Sequence, residues 1–186
     1  MKTLVAEDVV EELQTGGDGV VRLYVAACVE RMAPLFIGLR TGEAGREADV
    51  DLYKESVVDL WKTDRPLSDA AERARLLEGF PELGPAEDGI TDVVGTYTFF
   101  ACLVLRYALL ANGSGNADHA VSCGHAALTA MGMLDQNVAG AAFQADEQRL
   151  QTLSASGNAA GLCDASMAAG RERLRAVLNR IAKETR

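Results

Sequence analysis

The chain has 186 residues, of which 48% are hydrophobic and 24% are charged, and it contains four prolines. This size and composition are typical of one ordinary globular domain, which buries roughly two thirds of the surface of its unfolded chain without help from disulfides. The net charge of −9 argues against general binding to nucleic acid or to an anionic membrane, so we expect neither as a partner.

The N-terminal third predicts two helices. The first covers residues 5–14, because the glycine pair at 16–17 suits a helix C-terminus. The second runs from Asp18, which can cap it, to about residue 39, with a kink expected at Pro34. Acidic residues stand where a signal peptide would need an apolar run, and we expect a cytoplasmic protein.

The second helix contains an adjacent charged pair, Glu30 and Arg31, just before Pro34. The helix is otherwise apolar almost all round, which indicates that it is buried. Successive residues turn by about 100°, so Arg31 lies opposite Arg22 and points inward if Arg22 marks the solvent side, while Glu30 lies nearer the polar edge. A buried arginine needs a carboxylate partner. The candidates are Asp59, Asp92 and Asp135.

Two interpretations of this turn remain open. One is a structural ion pair that fixes how the helices pack. The other is a ligand-anchoring arginine in a cavity at the Pro34 kink, walled by Glu30, Arg31 and side chains from other helices. The candidate residues for such a pocket or buried polar network are Glu30, Arg31, Asp59, Trp61, Asp92 and Tyr97.

The middle of the chain predicts further helices and one irregular stretch. An amphipathic helix covers about 49–63, and a short polar helix covers 68–78. Glycine and proline make 79–85 irregular. Two long apolar helices, at about 92–111 and 116–136, are joined by a short polar turn and should form a central αα-hairpin.

The sequence of the last 50 residues gives weaker predictions of secondary structure. Residues 137–170 are rich in Ala, Gly, Ser and Asn, have weak periodicity, and are expected to be partly mobile, with a possible helix at 142–153. A terminal helix follows at 171–186; this segment carries a net charge of +4, which leaves −13 for the first 170 residues. Its apolar face consists of Leu174, Val177, Leu178 and Ile181. Overall, the pattern predicts one all-α domain over 1–186, a bundle of about seven helices around the apolar hairpin.

No established catalytic or cofactor motif is present. The four cysteines have no short paired spacing and suit reduced core thiols. His119 and Cys123 lie four residues apart on one helix face, but two ligands do not make a metal site. We therefore expect no cofactor and no metal, and we favour a protein that is not an enzyme.

Several segments resemble the YjaG-like bacterial proteins, a family defined by a domain of unknown function (number four-sixteen). The resemblance covers roughly residues 20–136 and implies an all-helical, soluble bacterial protein with no assigned activity, so it transfers no catalytic residue. The chain departs from the family pattern in 137–170 and at Thr98, where a Tyr-Pro step is typical. The segments that carry the resemblance are Ala26–Pro34, Tyr53, Leu60-Trp61, Tyr97, Ala101-Cys102, His119–Val121 and Met133–Asp135.

These observations lead to three hypotheses on function. The first is a non-enzymatic protein-interaction module, resembling an immunity protein, an antitoxin or an adaptor, whose acidic body binds a basic protein. The alternative is a small-ligand-binding or enzymatic helical domain with its pocket at the Glu30-Arg31-Pro34 turn. The third is a homodimer whose interface is the apolar hairpin.

Overall fold

The computed structural model describes residues 3–85 and 92–184, which form eight α-helices, one short 3₁₀ turn and no strand. The predicted all-α bundle is therefore confirmed, with one helix more than the seven expected. The helices are α1 (Glu7–Thr15), α2 (Asp18–Arg40), α3 (Glu47–Leu60), α4 (Ala70–Leu77), α5 (Val93–Ser114), α6 (Ala117–Asp135), α7 (Phe143–Ala155) and α8 (Leu162–Glu184); the 3₁₀ turn is Pro81–Leu83.

Local sequence signals set the ends of the central hairpin. The carboxylate of Asp92 accepts a hydrogen bond from the Gly95 amide at 2.7 Å and so caps the start of α5. Gly115 ends α5 in the left-handed region, at φ 67°, where a glycine carries no steric penalty. The Asn116 side chain then accepts from the Asp118 amide at 2.8 Å and begins α6. The hairpin therefore forms where the sequence predicts it.

The core lies around α2, which packs most extensively against α5 and α8 and also against α3, α6 and α7. α2 continues through Pro34 as one helix. α8 approaches α2 closely at Gly170, where an added Cβ would lie 2.9 Å from Cγ of Pro34 and 3.1 Å from the Glu30 carbonyl oxygen. The carbonyl that Pro34 leaves without a helical donor is therefore covered by α8.

The C-terminal part is more regular than the sequence indicated. α8 begins at Leu162, nine residues before the predicted terminal helix at 171–186, and α7 starts one residue later and ends two residues later than the possible helix at 142–153. Both α7 and the start of α8 thus lie within 137–170, the stretch expected to be partly mobile. Asp135, at the end of α6, begins α7 by accepting hydrogen bonds from the amides of Phe143 and Gln144.

Among the described residues, α5 alone is long and apolar enough to cross a membrane on length and composition, with a mean hydropathy of 1.7 in its most apolar window. Half of that window is buried inside the fold. The central helix of a helical bundle has the same character.

Candidate functional site

The Glu30-Arg31 turn belongs to a buried polar cluster. The side chain of Arg31 is fully buried, which confirms that it points inward. Its Nε and Nη2 atoms donate to the two carboxylate oxygens of Glu147, at 2.8 and 2.9 Å. This bidentate geometry is the strongest arrangement for an arginine and a carboxylate. The partner is on α7, so the three predicted partners, Asp59, Asp92 and Asp135, are wrong.

A second arginine shares the same carboxylate. Nη2 of Arg173, on α8, lies 2.6 Å from Oε2 of Glu147, and this side chain is also almost fully buried. Burial alone would raise the pKa of Glu147, but the charges of Arg31 and Arg173 outweigh it and lower the pKa to about 2. Two guanidinium groups around one carboxylate leave the cluster with excess positive charge inside the protein.

Neutral side chains complete the cluster. Gln151 donates to Glu147 at 2.8 Å and to the Gly124 carbonyl at 3.0 Å, and it accepts a hydrogen bond from the Tyr24 hydroxyl at 2.8 Å. A Cβ on Gly124 would overlap that hydroxyl, so the site requires glycine there. The remaining donors of Arg31 point to Ser154, Ser166 and Cys28. The arrangement satisfies the charged groups without exposing Arg31 to solvent.

Sequence reasoning missed most of this cluster because the buried face of α7 is polar. Its inward positions are Glu147, Leu150, Gln151, Ser154 and Ala155, at the spacing of one helix face. A search for apolar periodicity finds little in such a helix. The inward-pointing Arg31 was the signal that a buried carboxylate had to exist, but its sequence position was not predictable.

The structure brings together only some of the predicted site residues. The indole Nε1 of Trp61 donates to Oε2 of Glu30 at 2.8 Å, and Glu30 is half-buried beside Arg31 in sequence. Asp59 lies elsewhere and accepts from Lys62 at 2.7 Å and from Arg73 at 2.8 Å. Glu30 and Trp61 therefore form a contact separate from the ion pairs of Asp59.

The other two predicted residues have different surroundings. Asp92 is the cap of α5 described above. Tyr97 is buried, and its hydroxyl makes no hydrogen bond by standard geometry within the described residues. Burial raises the pKa of Tyr97, while the nearby Arg180 guanidinium acts in the opposite direction. The six predicted residues thus do not form one site.

Another helix covers the Pro34 turn. α8 lies directly on it, and five cavities elsewhere in the described chain are lined by other residues. One cavity of about 400 Å³ adjoins Asp59 between α3 and α4; it is lined by polar side chains, including Arg65 and Arg73. At the turn itself the geometry is that of a structural ion pair.

The surface charges are distributed unevenly. Most arginines in the described chain pair with nearby carboxylates. On α3, by contrast, Glu47, Asp51 and Glu55 are exposed at successive four-residue intervals, and none makes an ion pair with a described residue. Val58 continues the same face and is 64% exposed. We call these four residues the α3 acidic face.

The described residues hold no group of three or more His, Cys, Asp or Glu side chains placed to bind a metal ion. His119 stacks on Tyr107, while the Cys123 thiol is buried and lies 3.5 Å from the Val104 carbonyl oxygen. Burial raises the pKa of Cys123, which keeps it protonated.

Comparison with protein-family models, with curated proteins and with solved structures finds no match to this chain. The resemblance to the YjaG-like proteins therefore stays a prediction.

Proposed function

We propose that this chain is a non-enzymatic protein-binding module, of the immunity, antitoxin or adaptor kind, that binds a basic protein partner through the α3 acidic face. The observation that carries the proposal is the row of unpaired carboxylates at Glu47, Asp51 and Glu55, which ends in the exposed Val58. An apolar side chain beside a charged row offers a partner both contact area and charge complementarity.

The like charges of the α3 acidic face repel one another, and the exposed Lys54, three residues after Asp51, offsets this repulsion only in part. Like charges four residues apart destabilise a helix by about 0.2–0.5 kcal/mol per pair. Glu47 lies in the first turn, where the helix dipole favours a negative charge, but Asp51 and Glu55 lie beyond that turn. A bound basic side chain would remove this repulsion.

Charge complementarity also favours fast association. A protein with a net charge of −9 attracts a cationic partner over long range, and steering of this kind raises association rates at low salt. We therefore expect binding to weaken as salt screens the exposed carboxylates.

The proposal is tested by purifying the tagged protein from its native cells at low ionic strength. We expect a basic protein to be retained in a fixed ratio and released by salt. The triple variant Glu47→Gln, Asp51→Asn, Glu55→Gln should lose this partner. A protein that elutes as a clean monomer or homodimer, with no partner retained, would contradict the proposal.

α1 offers a matched control. Its exposed Glu7, Glu11 and Glu12 also make no ion pair with described residues, so Glu7→Gln, Glu11→Gln, Glu12→Gln changes the net charge equally. This variant should keep the partner. Equal loss in both triple variants would mean that net charge alone, rather than the α3 acidic face, governs binding.

A further inference from the structure

The outer face of α8 borders a groove that the proposed function does not use. The groove has a volume of about 270 Å³ and lies between α8 and the connection from α6 to α7. Val138 and Phe143 provide its apolar wall. Arg175, Arg180 and Lys183 bring cationic groups to the same space. It thus combines an apolar surface with clustered positive charge.

These cations differ from most others in the described chain. Arg175 and Lys183 are exposed and make no ion pair with a described residue, whereas most arginines elsewhere are paired. Arg180 pairs with Glu184 at 3.0 Å, and Glu184 is itself half-exposed. The single carboxylate in the groove wall, Glu172, does not balance them. Unpaired cations grouped in a chain of net charge −9 mark a local preference for an anion.

A buried polar group lies beside this cluster. Tyr97 is fully buried, and its hydroxyl lies beside the Arg180 guanidinium.

We propose that this groove binds a small organic anion, with the carboxylate held by the cationic side chains of α8 that line the groove and an aromatic or branched apolar body packed on Phe143 and Val138. Ligand cavities typically span about 300–1,000 Å³, so this groove suits a molecule the size of benzoate rather than a nucleotide. Charge-assisted hydrogen bonds from these cationic groups orient the carboxylate, and the apolar wall removes the body of the ligand from water.

Benzoate is the probe, titrated into the full chain while amide NMR signals are followed, with calorimetry for affinity. We expect saturable binding, with shifts concentrated at 137–143 and on the outer face of α8. Neutral benzamide has the same shape without the charge and should bind at least about tenfold more weakly. Acetate carries the carboxylate but lacks the aromatic ring, so it should also bind more weakly than benzoate.

The variant Arg175→Gln, Lys183→Gln should weaken benzoate binding at least about tenfold. The matched control is Lys54→Gln, Arg65→Gln, which removes two exposed, unpaired cations on the α3–α4 side of the chain. It should leave the affinity unchanged. Equal affinity for benzoate and benzamide, equal loss in both double variants, or no saturable binding at millimolar benzoate would overturn the proposal.

Discussion

Replacing Glu147 with glutamine isolates the role of the buried cluster. The change keeps the shape of the side chain but removes the negative charge that two buried guanidinium groups share. Breaking a buried ion pair by removing one partner costs about 3–5 kcal/mol. We expect the upper part of that range, because Arg31 and Arg173 would both lose their carboxylate and would repel each other at exposures of 0% and 1%.

This loss is large against the 5–15 kcal/mol by which domains are typically stable. For a domain of this size it corresponds to a fall in Tm of roughly 6–20 °C. Urea-induced unfolding followed by circular dichroism measures it directly. The midpoint should fall while the slope m stays constant, since the surface exposed on unfolding is unchanged. A cost below about 1 kcal/mol would refute the reasoning.

A second arginine–glutamate–arginine cluster provides the control. Glu82 lies between Arg40 and Arg46, whose side chains are 16% and 9% exposed. Each arginine also keeps another carboxylate, Glu43 for Arg40 and Asp49 for Arg46. Glu82→Gln should therefore cost only about 1.5–3 kcal/mol, the range for loss of a hydrogen bond to a charged group. Equal costs at Glu82 and Glu147 would show that burial of the arginines does not set the penalty.

Three further predictions concern the same region. The pKa of Glu147 falls from its ordinary 4.5 to about 2 on folding, so the unfolded chain takes up a proton first as pH drops. The stability that this group contributes is complete above about pH 4.5 and is lost towards pH 2. When stability is measured against pH, Glu147→Gln should not show this acid-dependent loss. Gly124→Ala should destabilise the protein by about 1–3 kcal/mol in urea unfolding, and combining it with Tyr24→Phe should cost less than the sum of the two changes. Gly170→Ala should lower the stability by a similar amount, because the ring of Pro34 that the new methyl group meets cannot rotate away. Gly19→Ala is the control: its methyl group meets nothing within 4 Å, so thermal melts should show a neutral or slightly stabilising effect.

Much of the fold could be predicted because the hairpin helices and α2 are apolar and bounded by clear caps and breakers. α5 and α6 start near Asp92 and Asn116, whose side chains act as the caps that such residues usually provide. The sequence does not predict the start of α8, because 162–170 is rich in small residues that give weak periodicity. At Gly170 α8 and α2 approach closely, while Leu162 packs in a small apolar cluster with Leu23 and Ala27.

The candidate site was less predictable. The direction of Arg31 follows from helix geometry, since 3.6 residues per turn place it opposite Arg22. The identity of its partner does not follow from helix geometry, because Glu147 is 116 residues away in sequence. Any acidic residue on a neighbouring helix could supply the carboxylate that a buried arginine needs. The contact between Trp61 and Glu30 likewise depends on where α3 ends against α2. Such pairings are set by the three-dimensional arrangement of helices and leave no local pattern.

The positions of the three charges along the chain have a consequence for synthesis. Arg31 leaves the ribosome long before Glu147, and Arg173 emerges later still. Until α7 is available, α2 carries a guanidinium that the hairpin can bury only at a high cost in free energy. We therefore expect the final packing around Arg31 to form only after α7, which supplies the carboxylate, has emerged.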